Sequence, residues 1–182
     1  MLILAVVSLL SQLAVDKSKP LAPFTRVTFG MEQTTPDNRT DMQIISNDAL
    51  EKIKAPAEAM FREQHIILVD PKAPQEEPPK DLSPSQRFQY IWDKTQQTLI
   101  VVLEIHSIAT EDNETHAGAI VLKAVTSVPH PLDHAQSLIA TVWESSQSYI
   151  GGRTGAKRVA LQGVLDVLLE FLADWKKSHK QS

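Results

Sequence analysis

The sequence predicts a single α/β domain built on a mixed five-stranded sheet, with elements in the order β-α-β-α-β-β-β-α. Two patterns predict it: apolar runs of strand length, and helical repeats of apolar residues between them. An apolar content of 42% in 182 residues is typical of a folded globular chain. This length fits one domain with a sizeable core, which we place at residues 24–178 with the helices packed on the sheet.

The composition excludes several kinds of site and partner. The chain has no cysteine, so disulfides, thiolate metal sites and cysteine nucleophiles are excluded. The net charge of −4 provides no basic field that would attract nucleic acid. No sequence motif indicates a cofactor.

Residues 1–14 form an apolar segment of about the length of a signal-peptide core, shorter than the roughly 20 apolar residues of a membrane span. No Lys or Arg precedes it, and Gln12 is large for a cleavage site. Two interpretations stay open: an export signal, or a strand or helix buried in the domain. Residues 15–23 have the composition of a tether, which favours export and a periplasmic or secreted protein. Burial of the segment would instead indicate a cytoplasmic one.

The first half of the domain alternates strands and helices. Residues 24–30 alternate apolar and polar side chains, as a strand does. A helix starting at Ser46 or Asn47 follows, with a kink or a new segment expected at Pro56. The run over residues 65–70 predicts a buried central strand. The apolar face of the helix comprises Leu50, Ile53, Ala57, Met60 and Phe61.

A proline-rich exposed loop is predicted over residues 71–82, because four prolines and several charges cannot bury enough apolar surface to order the segment. Ser83, Pro84 and Gln86 then form a capping box that starts a second helix. One face of that helix carries Phe88, Ile91, Trp92 and Thr95.

A β-hairpin is predicted around the polar residues 111–114. A turn centred on Asp112 and Asn113 gives a register in which both faces are consistent. Its facing pairs are Val101 with Ala124, Leu103 with Leu122, Ile105 with Ile120, and Glu104 with Val121, and Lys123 lies diagonal to Glu104. A third strand is predicted over residues 137–143.

The chain is expected to break at Gly151 and Gly152, before a long helix over residues 154–177. Its apolar stripe comprises Leu161, Val164, Leu165, Leu168, Phe171, Leu172 and Trp175. Its outward side is expected to carry Asp166, Glu170 and Asp174.

The turn before this helix is the best local candidate for a binding site. Gly151, Gly152, Arg153, Thr154 and Lys157 place backbone N–H groups and cations at a helix N-terminus, where an anion could bind. The turn lacks the ending of a P-loop and the spacing of a dinucleotide fingerprint. Glycine-rich turns between strand and helix also occur for geometric reasons alone.

The histidines do not indicate a metal site. His130 and His134 are four residues apart, but Pro131 and a loop setting argue against ligation. His106 and His116 flank the hairpin and are expected to be surface residues at a strand end. We therefore expect no catalytic residue and no metal.

The order of elements resembles small α/β domains of bacterial envelope proteins. The strand that ends Trp143-Glu144-Ser145-Ser146 and the closing helix that ends at Trp175 belong to this likeness. In layout the chain is similar, over residues 24–178, to the amino-terminal domain type of the Tol-Pal protein TolB and to uncharacterised periplasmic lipoproteins. It departs from the lipoproteins because it has no anchoring cysteine.

This resemblance implies a non-catalytic accessory or assembly protein that binds another envelope protein or self-associates. It implies no integral membrane span and carries over no site residue. Two alternatives stay open: a module that binds a small ligand or anion at residues 151–155, and an enzyme of unknown class.

Overall fold

A computed structural model describes residues 17–70, 78–83, 86–87, 90, 97–129 and 137–180. The predictions for residues 1–14, for most of the second helix, and for His130 and His134 lie outside these residues. The described strands are β1 (Arg26–Thr34), β2 (Ile67–Leu68), β3 (Thr98–Ala109), β4 (Thr115–Pro129) and β5 (Ser137–Gly152), and the described α-helices are α1 (Asn47–Glu63) and α2 (Arg153–His179).

The five strands form one mixed sheet in the order β2-β1-β3-β4-β5. β1 runs parallel to both β2 and β3, whereas β4 runs antiparallel to β3 and β5. The two described α-helices pack on this sheet, and the predicted fold class is confirmed.

The hairpin β3–β4 has the predicted register. Leu103 faces Leu122, Ile105 faces Ile120, and Glu104 faces Val121. Asn113 adopts a positive φ of 61° in the connecting turn, a conformation that asparagine tolerates better than most residues.

Residues 65–70 do not form a central strand, and that prediction is wrong. β2 contains two residues and lies at the edge of the sheet, where the side chain of Ile67 is exposed. The apolar run indicated burial on both faces, but a run this short carries no information on its position in the sheet.

β5 extends over 16 residues, nine residues beyond the end of the predicted strand. Its second half is rich in serine and reads as a loop by composition, yet it pairs with β4 as far as Gly152. A register shift places Trp143 opposite Ala124 and Thr141 opposite Val125, so Val142 is the extra residue of a β-bulge. The predicted alternation of side chains along this strand therefore fails at Val142.

Both helices cover the same face of the sheet, and the core lies between. Phe61 of α1 contacts Phe29 of β1 with ring centroids 5.0 Å apart, and it contacts Phe171 of α2 at 5.8 Å. Phe171 in turn meets Trp143 of β5 edge to face at 5.2 Å. These rings connect both helices to the sheet through one continuous apolar core.

α1 is a single helix that runs through Pro56 without starting a second segment. Leu50, Ala57 and Phe61 are buried on its sheet side, as predicted. Ser46 occupies the N-cap position, although its side chain makes no capping hydrogen bond.

The described parts of two predicted segments form local structure. Lys19–Leu21 forms a turn of 3-10 helix with Leu21 buried, in the stretch predicted as a tether. The capping box before the second helix forms, since Ser83 N–H donates to Gln86 Oε1 at 2.9 Å and Gln86 N–H donates to Ser83 Oγ at 3.4 Å.

The buried face of α2 differs in part from the predicted stripe. Leu161 and Leu165 are partly exposed, whereas small residues such as Ala156, Ala160 and Gly163 are buried. Small residues allow the helix to approach the sheet closely, so its contact face is rotated toward them. Trp175, Phe171 and the other predicted residues of the stripe are buried: Val164, Leu168 and Leu172.

Candidate functional site

The predicted anion site begins where β5 passes directly into α2. Gly151 and Gly152 are the last residues of β5 and lie opposite His116 and Thr115. Gly151 has a φ of 153°, which disfavours any residue with a side chain. Gly152 is the N-cap, with no side-chain hydrogen bond and no acidic residue in the first turn of the helix. The N-cap residue of α2 therefore has no side chain that could accept a hydrogen bond from the first backbone N–H groups.

The side chains beside this turn include a carboxylate as well as cations. Arg153, Thr154 and Lys157 are exposed, as an anion site requires. Asp41 lies close enough for Arg153 to contribute to its ionisation, although the hydrogen bond from Arg39 is the main reason why the pKa of Asp41 is lowered. A resident carboxylate in the field of Arg153 would compete with an incoming anion.

His116 is fully buried, so the prediction of a surface histidine is wrong for this residue. Gly151 lies opposite it in the β4–β5 ladder. A Cβ added to Gly151 would point toward the first turn of α2 and would lie 3.7 Å from the backbone nitrogen of Ala156. Facing residues of a ladder point to the same side of the sheet, so the imidazole lies beneath that turn. Neither ring nitrogen has a hydrogen-bond partner among the residues that the structure describes.

A second polar group lies on the other face of the sheet, and of its contacts the sequence predicted only that between Lys123 and Glu104, which the hairpin register places diagonal to each other. His106 Nδ1 is 2.7 Å from Thr34 Oγ1, and His106 Nε2 is 3.0 Å from Glu104 Oε2. Lys123 Nζ donates to the same Glu104 oxygen at 2.8 Å. The group joins β1, β3 and β4, and it borders an open cavity of about 350 Å³ that Pro36, Ile108 and Ala119 help to line.

The electrostatics of this group favour the ionised pair. Partial burial of Glu104 opposes ionisation, but hydrogen bonds from Lys123 and His106 outweigh it and lower the pKa of Glu104. The hydrogen bond to Glu104 raises the pKa of Lys123. A hydroxyl, imidazole and carboxylate in series have the layout of a nucleophile, base and orienter. Here Lys123 already neutralises the carboxylate, which weakens its support for an imidazolium.

The outer edge of β5 is the third candidate. β5 is the outermost strand on its side of the described sheet and carries one charged residue, Glu144, in its 16 residues. Lys17 Nζ donates to the backbone carbonyl of Glu144 at 3.3 Å, so this carbonyl faces away from β4. Alternate residues of an antiparallel strand face the same way, which turns the backbone groups of Ser146, Ser148 and Ile150 toward the edge.

Apolar side chains accompany this edge. Ile139 is 80% exposed and Ile150 is 74% exposed. Long edge strands with few charges are sites where another strand can pair, and proteins that avoid pairing place lysine, proline or a bulge there. The bulge at Val142 and the cation of Lys17 protect the first half of β5 from pairing with another strand. Neither of them protects the half from Ser145 to Ile150.

A cavity of about 280 Å³ opens between this half of β5 and α2. Gly163 of α2 lies over Gln147, where an added Cβ would come within 3.2 Å of the Gln147 Cβ. The helix side of the cavity is lined by Arg158, Val159, Gln162, Gly163 and Asp166. Polar and charged groups of α2 thus lie beside the unprotected half of the edge.

α2 also anchors to β5 through residues that were expected to face outward. Ser145 Oγ donates to Glu170, and Trp143 Nε1 donates to Asp174 Oδ2 at 2.9 Å. Glu170 also pairs with Lys17 at 3.1 Å. Among the predicted outward carboxylates, Asp166 is exposed, whereas Glu170 and Asp174 are half-buried beside β5, so the prediction holds only in part for these two.

The described residues contain neither a group of metal-binding side chains nor a membrane-spanning helix. Within the described ranges, no three histidine, aspartate or glutamate side chains are grouped so that they could hold a metal ion. None of the helices in those ranges is long and apolar enough to cross a membrane.

Comparisons with known proteins identify no family for the chain. No family model and no curated protein matches it. Among solved structures, a PelC dodecamer from Paraburkholderia phytofirmans is 13% identical with a TM-score of 0.38, over 80% of this chain and 87% of that chain. A likeness at this TM-score and identity does not establish a common fold.

Proposed function

We propose that the protein is a non-catalytic accessory or assembly protein of the bacterial cell envelope that acts through protein–protein interaction. The observation that carries the proposal is the outer edge of β5. Its backbone groups from Ser146 to Ile150 are left open by the described part of the chain, and β5 carries a single charge in 16 residues and exposed isoleucines toward both ends. An added strand from a partner would pair with these groups, which is a common mode of protein recognition.

The polar group on the other sheet face supports a non-catalytic role. Thr34, His106 and Glu104 are aligned, but Lys123 shares the Glu104 oxygen at 2.8 Å. The same contacts connect three strands, which accounts for the group as a stabilising network. Loss of a measurable hydrolytic activity in His106→Ala, compared with the wild type, would contradict this interpretation.

The envelope location rests on residues 1–14, together with the likeness in layout to envelope domains. Mass spectrometry of the native N-terminus, combined with cell fractionation, tests it. We expect a periplasmic chain that begins near Val15. An intact Met1 in the cytosol would remove the support for an envelope role.

The interaction is tested by blocking the edge. Ser148→Pro removes an outward N–H without removing a hydrogen bond to β4, and edge strands tolerate proline. Ser148→Ala is the matched control, because it keeps the N–H. We expect cross-linking in envelope extracts to recover the same bound protein with the wild type and Ser148→Ala, and to lose it with Ser148→Pro. Recovery that is equal in all three would contradict the edge as the contact surface.

A second candidate function is anion binding at residues 151–155, favoured by the glycine N-cap of α2 and by the lack of an acidic residue in its first turn. Calorimetry with inorganic phosphate tests it, with Arg153→Ala and Lys157→Ala as variants. Binding that weakens in both variants would support the site, and no binding by the wild type would exclude phosphate as its ligand. The competing carboxylate of Asp41 leads us to rank this function below edge pairing.

A further inference from the structure

We propose that the occupant of the β5 edge is a second copy of this chain, paired antiparallel about a two-fold axis at Gln147. This inference rests on the proposed function, because it uses the same edge of β5 and adds that the partner is another copy of the chain. The two sheets would join into one continuous sheet, and the two copies of α2 would lie side by side above the junction.

The backbone pattern of β5 permits this register. With Gln147 opposite its own copy, Ser146 faces Ser148 of the partner subunit, and both residues turn their backbone groups outward. Glu144 faces Ile150 of the partner subunit, so the one charge of each strand does not oppose its copy. The Glu144 carbonyl can keep its bond from Lys17, because a carbonyl oxygen has two lone pairs.

The side chains near the axis are small, uncharged or flexible. Ser146 and Ser148 leave room for two strands to approach on the open face. On the helix face, Gln147 is exposed at the mouth of the cavity beside Gly163. A symmetric pairing requires a surface that complements itself, and these residues meet that requirement without a repeated charge.

The flank of α2 supplies charge complementarity about the same axis. Gly163 lies over Gln147, so an axis through Gln147 passes beside Gln162. Arg158 and Asp166 are each four residues from Gln162, on opposite sides of it, and both line the cavity. The two-fold therefore brings Arg158 of one copy toward Asp166 of the other, twice. This match arises from the helix, independently of the strand pattern.

Contact between the helices also supplies area that the strands alone lack. Stable dimers bury about 1,600 Å² in total, more than a short pair of strands covers. Val159 is partly exposed on the same flank of α2 and would be covered by the partner helix. Strand pairing and helix packing together form an interface with an uncharged centre and charged ends.

Disulfide trapping of the full chain tests the axis, and the chain offers a clean background because it has no cysteine. Opposed residues that do not exchange hydrogen bonds have Cα atoms about 4.5 Å apart, within disulfide range. Gln147→Cys should therefore form a covalent dimer under mild oxidation. Ile139→Cys, also exposed on the same strand but far from the axis, should not. Equal cross-linking of both variants, or none for Gln147→Cys, would overturn the proposal.

Charge reversal tests the helix contact. We expect Arg158→Asp and Asp166→Arg each to weaken dimerisation about tenfold in analytical ultracentrifugation. The dissociation constant of the double variant should return to within about threefold of the wild-type value, because both ion pairs form again with their charges exchanged. Ser148→Pro should leave a monomer with an unchanged far-ultraviolet spectrum, whereas Ser148→Ala should stay dimeric.

The outcomes separate this inference from the proposed function. A wild-type chain that stays monomeric at about 100 μM, well above typical dissociation constants of stable dimers, overturns self-pairing. If that monomer still binds another envelope protein through the edge, the proposed function stands without the self-pairing. If the wild type is a dimer and neither Ser148→Pro nor the charge reversals change its dissociation constant, the β5 edge is not its interface.

Discussion

The Tyr149 hydroxyl donates a hydrogen bond to the backbone carbonyl of His106 at 2.9 Å, although the two residues lie on strands separated by β4. The ring crosses β4 over Gly118, which lies directly opposite Tyr149 in the ladder. The phenol has one proton, and it donates that proton to the His106 carbonyl. The hydroxyl of Ser107, 2.7 Å away, therefore donates to the phenol oxygen. Burial raises the pKa of Tyr149, so the neutral phenol is the form that makes these contacts.

Tyr149→Phe should lower the free energy of unfolding by about 1–2 kcal/mol, because two partly buried hydrogen bonds lose their shared partner. Urea denaturation at neutral pH measures the change. An unchanged midpoint for Tyr149→Phe would show that water replaces both bonds at no cost.

Gly118→Ala should be more damaging, at about 3 kcal/mol, because the added Cβ would collide with the His106 carbonyl and lie 2.7 Å from the Tyr149 ring. Gly30→Ala on β1 is the matched control, since nothing lies within 4 Å of its added Cβ. Thermal unfolding of the two variants compares them directly. Similar losses in both would contradict the requirement for glycine at the crossing.

Gly151→Ala should destabilise the chain by about 1–3 kcal/mol, because φ at this position is 153°. Gly155→Ala, four residues later in the first turn of α2, has open space around its added Cβ. We expect it to be neutral or to stabilise the chain by up to about 1 kcal/mol through helix propensity. If both variants lost equal stability, the backbone conformation of Gly151 would not be the cause.

Stability should depend on pH through Glu104 and Lys123. The lowered pKa of Glu104 gives stability that is present above the unfolded pKa, near 4.3, and is lost as pH falls through the folded pKa. The raised pKa of Lys123 gives stability that is present below about 10.4 and is lost as pH rises through its folded pKa. Glu104→Gln should therefore cost about 1–2 kcal/mol between roughly pH 5 and 10, and little at pH 2.

Denaturant titrations of the wild type and Glu104→Gln across this range measure the difference. Glu51→Gln, at an exposed position of α1, controls for the general effect of removing a negative charge. A difference between wild type and Glu104→Gln that persists undiminished at pH 2 would show that the carboxylate charge does not contribute.

The hairpin was predictable because its information is local. Asp112 and Asn113 mark the turn, and the alternation of Leu103 and Ile105 with polar neighbours sets the register in which they meet Leu122 and Ile120. The face of α1 followed from helical spacing in the same way. For α2, spacing identified most of the buried stripe, but close approach at Ala160 and Gly163 rotated the contact face.

Features that depend on distant pairing were not predictable. Thr34 and His106 meet only because β1 inserts parallel to β3, and no spacing in the sequence reports that insertion. The serine-rich half of β5 has weak strand propensity and is held by pairing with β4, so no pattern in the sequence indicates its edge. The residues of the predicted anion site are close together because they are adjacent in sequence. The presence of Asp41 beside them depends on the fold and could not be predicted from the sequence.

The place of β1 in the sheet order has a consequence for folding kinetics. β1 lies between β2 and β3, yet Thr34 and its partner His106 are 72 residues apart, whereas β3, β4, β5 and α2 follow one another along the chain. Loop closure over that distance is slow compared with forming the sequential hairpins. We expect Leu122→Ala to slow refolding in stopped-flow experiments and Val27→Ala mainly to accelerate unfolding. The first third of the chain is then the last part to become native, and a chain held before β1 docks would expose both β3 and the apolar face of α1.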